Sequence, residues 1–124
     1  MELEALQELV ITAMDDMKAQ EVRVLDVRGK STITDMMVIA TGTSTRHVKS
    51  IAENVALKAK NAGEQPLGTE GERDSEWMLV DLNDIIVHVM TPATRDFYNL
   101  EKLWGEGEVS HDDLPDEMLQ RRAG

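Results

Sequence analysis

Cysteine is absent from this chain. Disulfides, thiolate metal sites and thiol nucleophiles are therefore excluded together. No apolar run approaches the roughly 18 residues that a membrane span requires, so no membrane partner is expected. The first residues, Met1-Glu2-Leu3-Glu4, lack the basic stretch and apolar core of an export signal, and a cytoplasmic location is the expectation. Basic charge is scarce: 13 Lys and Arg stand against 24 Asp and Glu, for a formal net charge of -11. Attraction to phosphate backbones depends on clustered cations that displace counterions, so no direct nucleic-acid specificity is expected and a basic protein partner fits better. Aromatic residues are few, with two Trp, one Tyr and one Phe, and there are no internal repeats.

What remains is a chain with 41% hydrophobic residues, too many for a disordered polymer and enough for one core in 124 residues. Acids concentrate between positions 70 and 84, where Glu70, Glu72, Asp74, Glu76, Asp81 and Asp84 face a single base, Arg73. Such a run is an acidic patch candidate, although solvated charge alone accounts for many runs of this kind.

From Glu2 to Gln20 the apolar residues Leu3, Leu6, Val10, Ala13, Met14 and Met17 recur at intervals of three and four, which predicts a helix with one buried face. Val22 to Val27 is β-branched and predicts a strand; after the break at Gly29-Lys30-Ser31 a second strand is predicted over Met36 to Thr41. The uninterrupted Met36-Met37-Val38-Ile39-Ala40 suits a central strand covered on both faces. Gly42-Thr43-Ser44 then supplies hydroxyls for a helix N-cap. The stripe Val48, Ile51, Ala52, Val55, Ala59 and Ala62 predicts the second helix, with Gly63 as its C-terminal cap and a basic outer face of Arg46, Lys49, Lys58 and Lys60 against Glu53.

Two further apolar runs, Trp77 to Leu82 and Ile85 to Met90, are separated only by Asn83-Asp84, the length and composition of a tight hairpin turn with positive φ values. A two-residue loop pairs Leu82 with Ile85. Met78, Val80, Leu82, Ile85, Val87 and Val89 then share one apolar face, while Trp77, Leu79, Asp81, Ile86, His88 and Met90 share a mixed one. Thr91-Pro92 predicts a third helix from Ala93 to Leu100, with Tyr98, Leu103 and Trp104 packing nearby. Beyond Gly105 six acids and two bases predict a polar tail, 106–124, partly disordered, after a domain of 1–105. The fold class expected is a single layered α/β domain: a mixed sheet flanked by helices.

Reactive constellations are poorly supported. Gly42-Thr43-Ser44 lies where a phosphate loop would, but it has one glycine and no following Lys-Ser or Lys-Thr, so capping explains it. Asp81 and Asp84 sit three apart across a turn and no Asp-x-Asp pair occurs, which is unfavourable spacing for two-metal chemistry. His47, His88 and His111 are isolated from one another, so no metal is expected, nor any cofactor. His88 across the hairpin from Asp81 has the composition of an acid/base pair without a neighbouring nucleophile, and a hydrogen-bonded surface histidine is the simpler reading. Trp77, on the mixed face inside the acidic segment, has the character of an interface anchor.

Thr34-Asp35-Met36-Met37-Val38-Ile39-Ala40-Thr41-Gly42-Thr43-Ser44-Thr45-Arg46, followed by Val48, resembles the signature of the ribosomal silencing factor family, also called Iojap. Glu70-Gly71, the run Trp77 to Met90 and Arg95-Asp96-Phe97-Tyr98-Asn99-Leu100-Glu101-Lys102-Leu103-Trp104-Gly105 agree with it in order, so the resemblance covers residues 1 to about 105. Met36-Met37, where the family often has aromatics, and Ser75 and Asn83, where glycine is common, depart from it. The resemblance implies a nucleotidyltransferase-like α/β fold without the catalytic carboxylate pair, hence no enzyme. It also implies a translational repressor that binds large-subunit ribosomal protein fourteen and blocks joining of the two subunits when nutrients are scarce. Partner contacts are then expected from Trp77, Leu79 and Leu82 as apolar residues, Asp81 and Asp84 as acids, and Arg73, His88 and Tyr98 at the rim. A homodimer off the ribosome is compatible with this reading. The rival is a nucleotidyltransferase-like enzyme using Ser44 with Asp81 or Asp84.

Overall fold

In the computed structural model Leu6, Val10, Ala13 and Met14 form the buried face of helix α1, Leu3–Asp16. The helix ends sooner than its apolar period suggests because Lys18 takes the left-handed conformation, φ 58. The Lys18 and Ala19 amides then bond back to the Asp15 and Met14 carbonyls, which closes a Schellman cap. The structure describes residues 1–29, 34–71 and 76–98, and the side chains of all of these except Glu70 and Tyr98.

Strand β1, Gln20–Asp26, follows at once and carries a bulge near Glu21. Strand β2, Met36–Thr41, is buried at every position, as an uninterrupted apolar run requires in the middle of a sheet. Gly42 allows the chain to turn tightly into helix α2, Thr45–Asn61, since a Cβ there would meet the Val48 amide at 2.8 Å. Ser44 caps α2 by accepting from the His47 amide, and Gly63, φ 92, closes the other end in the left-handed conformation expected of it. A short strand β3, Gly68–Gly71, precedes the hairpin of β4, Trp77–Asp81, and β5, Ile85–Met90. Helix α3, Pro92–Tyr98, ends the described chain; residues 99–100 of its predicted span, together with Leu103, Trp104 and the tail 106–124, lie outside it.

The five strands form one mixed sheet ordered β1-β2-β5-β4-β3, with β2 and β5 parallel and every other neighbour antiparallel. On one face Met36, Val38, Ala40, Met78, Val80, Leu82, Ile85, Val87 and Val89 pack under α1 and α2 in the principal core. On the other, Val27, Met37, Ile39, Trp77, Leu79, Ile86 and Met90 form a second cluster. Two joints hold α1 to α2: Asn54 donates to the Ala13 carbonyl at 2.8 Å, and His47 contacts the Met17 carbonyl at 2.7 Å through Nε2. Because His47 Nδ1 accepts from the Thr43 amide at 2.8 Å, the ring hydrogen belongs on Nε2 and points at Met17. Among the described residues no helix is long and apolar enough to cross a membrane.

Candidate functional site: the β4–β5 hairpin

The hairpin has the register that a two-residue loop dictates. Trp77 pairs with Met90, Leu79 with His88 and Asp81 with Ile86, and the Leu82 amide bonds to the Ile85 carbonyl at 2.9 Å. The turn itself departs from expectation, since Asn83 alone has positive φ, at 73. Asp81 supplies the reason: its Oδ1 accepts from the Asn83 amide at 2.9 Å, an Asx turn that fixes the loop from the strand side.

A second set of bonds fixes the loop from β2. The Asp84 carbonyl accepts from the Met36 amide at 3.0 Å, the Asp35 amide at 3.3 Å and the Thr34 hydroxyl at 2.8 Å, and the same hydroxyl lies 3.2 Å from the Asn83 carbonyl. Thr34 is buried, whereas Asp35, Asn83 and Asp84 are exposed. The outcome is a rigid tip presenting two carboxylates, Asp35 and Asp84, with their backbone locked. Sequence reasoning did not single out Thr34 or Asp35 as site residues, because a hydroxyl that bonds residues 49 and 50 positions away leaves no local pattern.

The mixed face is where expectation and structure part. Trp77 and Asp81 are each 3% exposed, Leu79 5% and His88 0%, so the open, tryptophan-bearing acidic surface expected of this face is not present. Trp77 Nε1 donates to His88 Nδ1 at 2.9 Å with the rings tilted at 45°, making His88 a hydrogen-bonded interior residue rather than a surface one. Burial follows from composition: six of the seven residues in this cluster are aliphatic when thioethers are counted with them, namely Val27, Met37, Ile39, Leu79, Ile86 and Met90. Removing that much apolar area from water outweighs leaving one indole and one imidazole wet, provided the two satisfy each other. Leu82 is likewise buried, in the core beneath α1 and α2. Of the expected contacts only Asp84 is exposed; Arg73 lies outside the described residues and Tyr98 is placed by its backbone alone.

The residues required by the enzyme reading do not converge. Ser44 caps α2 beyond the C-terminal end of β2, whereas Asp84 bonds to Met36 at the N-terminal end. Five strand residues' rise, about 17 Å, separates those ends. At the C-terminal end α2 leaves β2 toward one face and α3 leaves β5 toward the other, a switch point of the kind where open α/β sheets hold ligands. Here Arg95 of α3 fills it: Nη1 donates to Thr41 Oγ1 at 2.8 Å and to the Glu21 carbonyl at 2.7 Å. Among the described residues no three His, Asp or Glu side chains are grouped to hold a metal ion.

Fold and site therefore define a small layered α/β protein whose distinctive feature is a locked hairpin tip rather than a cluster of reactive groups. The family model described as "Ribosomal silencing factor during starvation" matches residues 1–123, and the chain belongs to that family. The match runs through the segment that the sequence resemblance left outside it. A ribosomal silencing factor of Chromobacterium violaceum is 43% identical over 105 residues, covering 85% of this chain and 86% of that one. Another, from Haemophilus influenzae, is 45% identical over 100 residues, covering 81% and 98%. A crystal structure of a Chromobacterium violaceum protein superposes with a TM-score of 0.83 at 42% identity, covering 89% of this chain and 92% of that one.

Proposed function

We propose that this protein binds the large ribosomal subunit through its ribosomal protein fourteen and keeps the small subunit from joining, lowering translation when nutrients are limiting. Family membership over residues 1–123 carries this reading. The geometry supports it in kind, since steric occlusion needs a rigid shape and an ordinary interface of about 800 Å² per partner but no reactive group. The cytoplasm is where such a partner is met.

The burial of the mixed face assigns its residues a particular part in this proposal. Asp84, with Asp35 beside it, meets the basic partner directly, and Arg73 and Tyr98 complete the rim. Trp77, Leu79, Asp81, Leu82 and His88 act from beneath by holding the hairpin in one shape. Purified protein added to separated subunits should reduce the fraction that joins, and Asp84→Lys should weaken that effect while leaving the fold intact by circular dichroism. Normal joining at saturating wild-type protein would refute the reading. Normal silencing by Asp84→Lys would remove the hairpin tip from it.

A further inference from the structure

Helix α2 reverses the charge balance of the chain, with Arg46, Lys49, Lys58 and Lys60 against the one acid Glu53. Successive helical residues turn by about 100°, which places Arg46, Lys49, Glu53, Leu57 and Lys60 in one stripe, away from the buried Val48, Ile51, Ala52, Val55 and Ala59. All five stripe residues are exposed. Lys58 falls on the other flank, in the groove it shares with Glu8 and Asp16 of α1.

Two observations separate this stripe from ordinary solvated charge. Arg46, Lys49 and Lys60 make no ion pair among the described residues, in a chain where 24 acids are available to 13 bases. The first turn of α2 contains no acid and does contain Arg46, so its charge opposes the helix dipole instead of complementing it. Folding supplies no reason for cations at that end. The hairpin acids do not neutralise Arg46 and Lys49 either: Asp35 and Asp84 lie at the opposite end of β2, about 17 Å from the start of α2. That distance is roughly twice the screening length at physiological salt.

We propose that the α2 stripe lies against the phosphate backbone of ribosomal RNA when the protein is docked on the large subunit, an inference that rests on the docking reading above. Phosphates are the ligand that exposed cations without acidic partners fit, and contact with them is independent of sequence, in keeping with a stripe that has no aromatic residue to read bases. The partner protein would then be recognised by the acidic tip and the particle's RNA by the basic helix, so that two weak contacts act as one.

The test compares wild type with the triple variant Arg46→Ala/Lys49→Ala/Lys60→Ala, and with Lys58→Ala as a control, on two targets: intact large subunits and isolated ribosomal protein fourteen. The triple variant should bind intact subunits about tenfold more weakly at physiological salt, and its slope of log affinity against log salt should be smaller by about 3. Its binding to the isolated protein should be unchanged, and Lys58→Ala should resemble wild type on both targets. An unaltered affinity and slope on subunits would overturn the stripe while leaving the docking reading in place. Equal loss on the isolated protein, with a normal melting curve, would also overturn it by assigning the stripe to the protein contact. Should wild type bind neither target, the docking reading fails. The stripe is then judged on a 20-base-pair RNA duplex at low salt, where loss on substitution supports phosphate contact and absence of binding ends the proposal.

Discussion

Trp77 and His88, on neighbouring strands of the hairpin, hold each other through a hydrogen bond of 2.9 Å in a part of the sheet where both are buried. An indole can only donate, so Nδ1 of His88 is the bare nitrogen and the ring hydrogen of the neutral imidazole sits on Nε2. The two polar rings thereby enter an apolar layer as a unit, and each one's burial depends on the other.

That dependence is measurable. Trp77→Phe leaves Nδ1 without its donor, and His88→Leu leaves the indole without its acceptor; each should destabilise by about 1 to 3 kcal/mol from the orphaned group, with lost packing in addition. The double variant orphans neither. Urea unfolding of all four proteins should show the double variant more stable than the sum of the single effects by about 1 kcal/mol. Strict additivity would mean that the bond contributes nothing.

The hairpin also shows how far a sequence pattern reaches. Strands β2 and β5 occupy the residues that apolar runs marked, 36–41 and 85–90, and the pairing of β4 with β5 is the one that a two-residue loop imposes. Which side chains share a face was legible for the same reason, because alternation in a strand is strict. Whether a face is wet was not. Asp81 reads as a surface acid by residue type, yet its carboxylate is turned to the Asn83 amide inside the sheet layer. Strand β3 was missed outright, since Gly-Thr-Glu-Gly has no apolar alternation and one β-favouring residue, Thr69, between residues that strands disfavour, so that it owes its conformation to pairing with β4. The end of α1 was misplaced because Met17 continues the helical period while Lys18 breaks it through a backbone conformation that lysine rarely takes.

Lys18 and Gly63 occupy equivalent places, each being the left-handed residue of a Schellman cap, with φ 58 and φ 92. Glycine takes that conformation without the penalty from Cβ, so Lys18→Gly should stabilise the protein and Gly63→Ala should destabilise it, each by about 1 kcal/mol. A Cβ at Gly63 meets nothing within 4 Å, so the effect there is conformational rather than steric. Thermal melts should move in opposite directions. Equal and same-signed shifts would contradict the shared motif.

Thr34 stitches the hairpin tip to β2 with a hydroxyl that reaches the Asp84 carbonyl at 2.8 Å and the Asn83 carbonyl at 3.2 Å. Thr34→Val preserves shape and removes those bonds, at a cost of about 1 kcal/mol. Because the loss is local, amide exchange should accelerate at Asp35 and Met36, whose N–H groups share the Asp84 carbonyl, more than in α1. If the tip is the docking element, Thr34→Val should also weaken silencing by more than its small loss of stability explains. Uniform acceleration across the chain would show that the tip has no separate stability.

Arg95 ties three elements together at the other end of the sheet. Its Nη1 joins α3 to the hydroxyl of Thr41 at the end of β2 and to the carbonyl of Glu21 at the start of β1, where the backbone is held at φ 47. A non-glycine residue in that region persists only when its surroundings fix it, and the charged donor is the described group that does so from outside the strand. Arg95→Met keeps the aliphatic stem and removes the donor. Hydrogen bonds from charged donors contribute about 1.5 to 3 kcal/mol each, so unfolding should shift by at least that much. Arg95→Lys keeps the charge but not the planar fork, and it should recover part of the loss rather than all of it. The discriminating measurement is amide exchange along β1: both variants should loosen Glu21 to Arg23 more than Val24 to Asp26. Protection lost evenly along the strand would place the restraint elsewhere and leave Arg95 with packing alone.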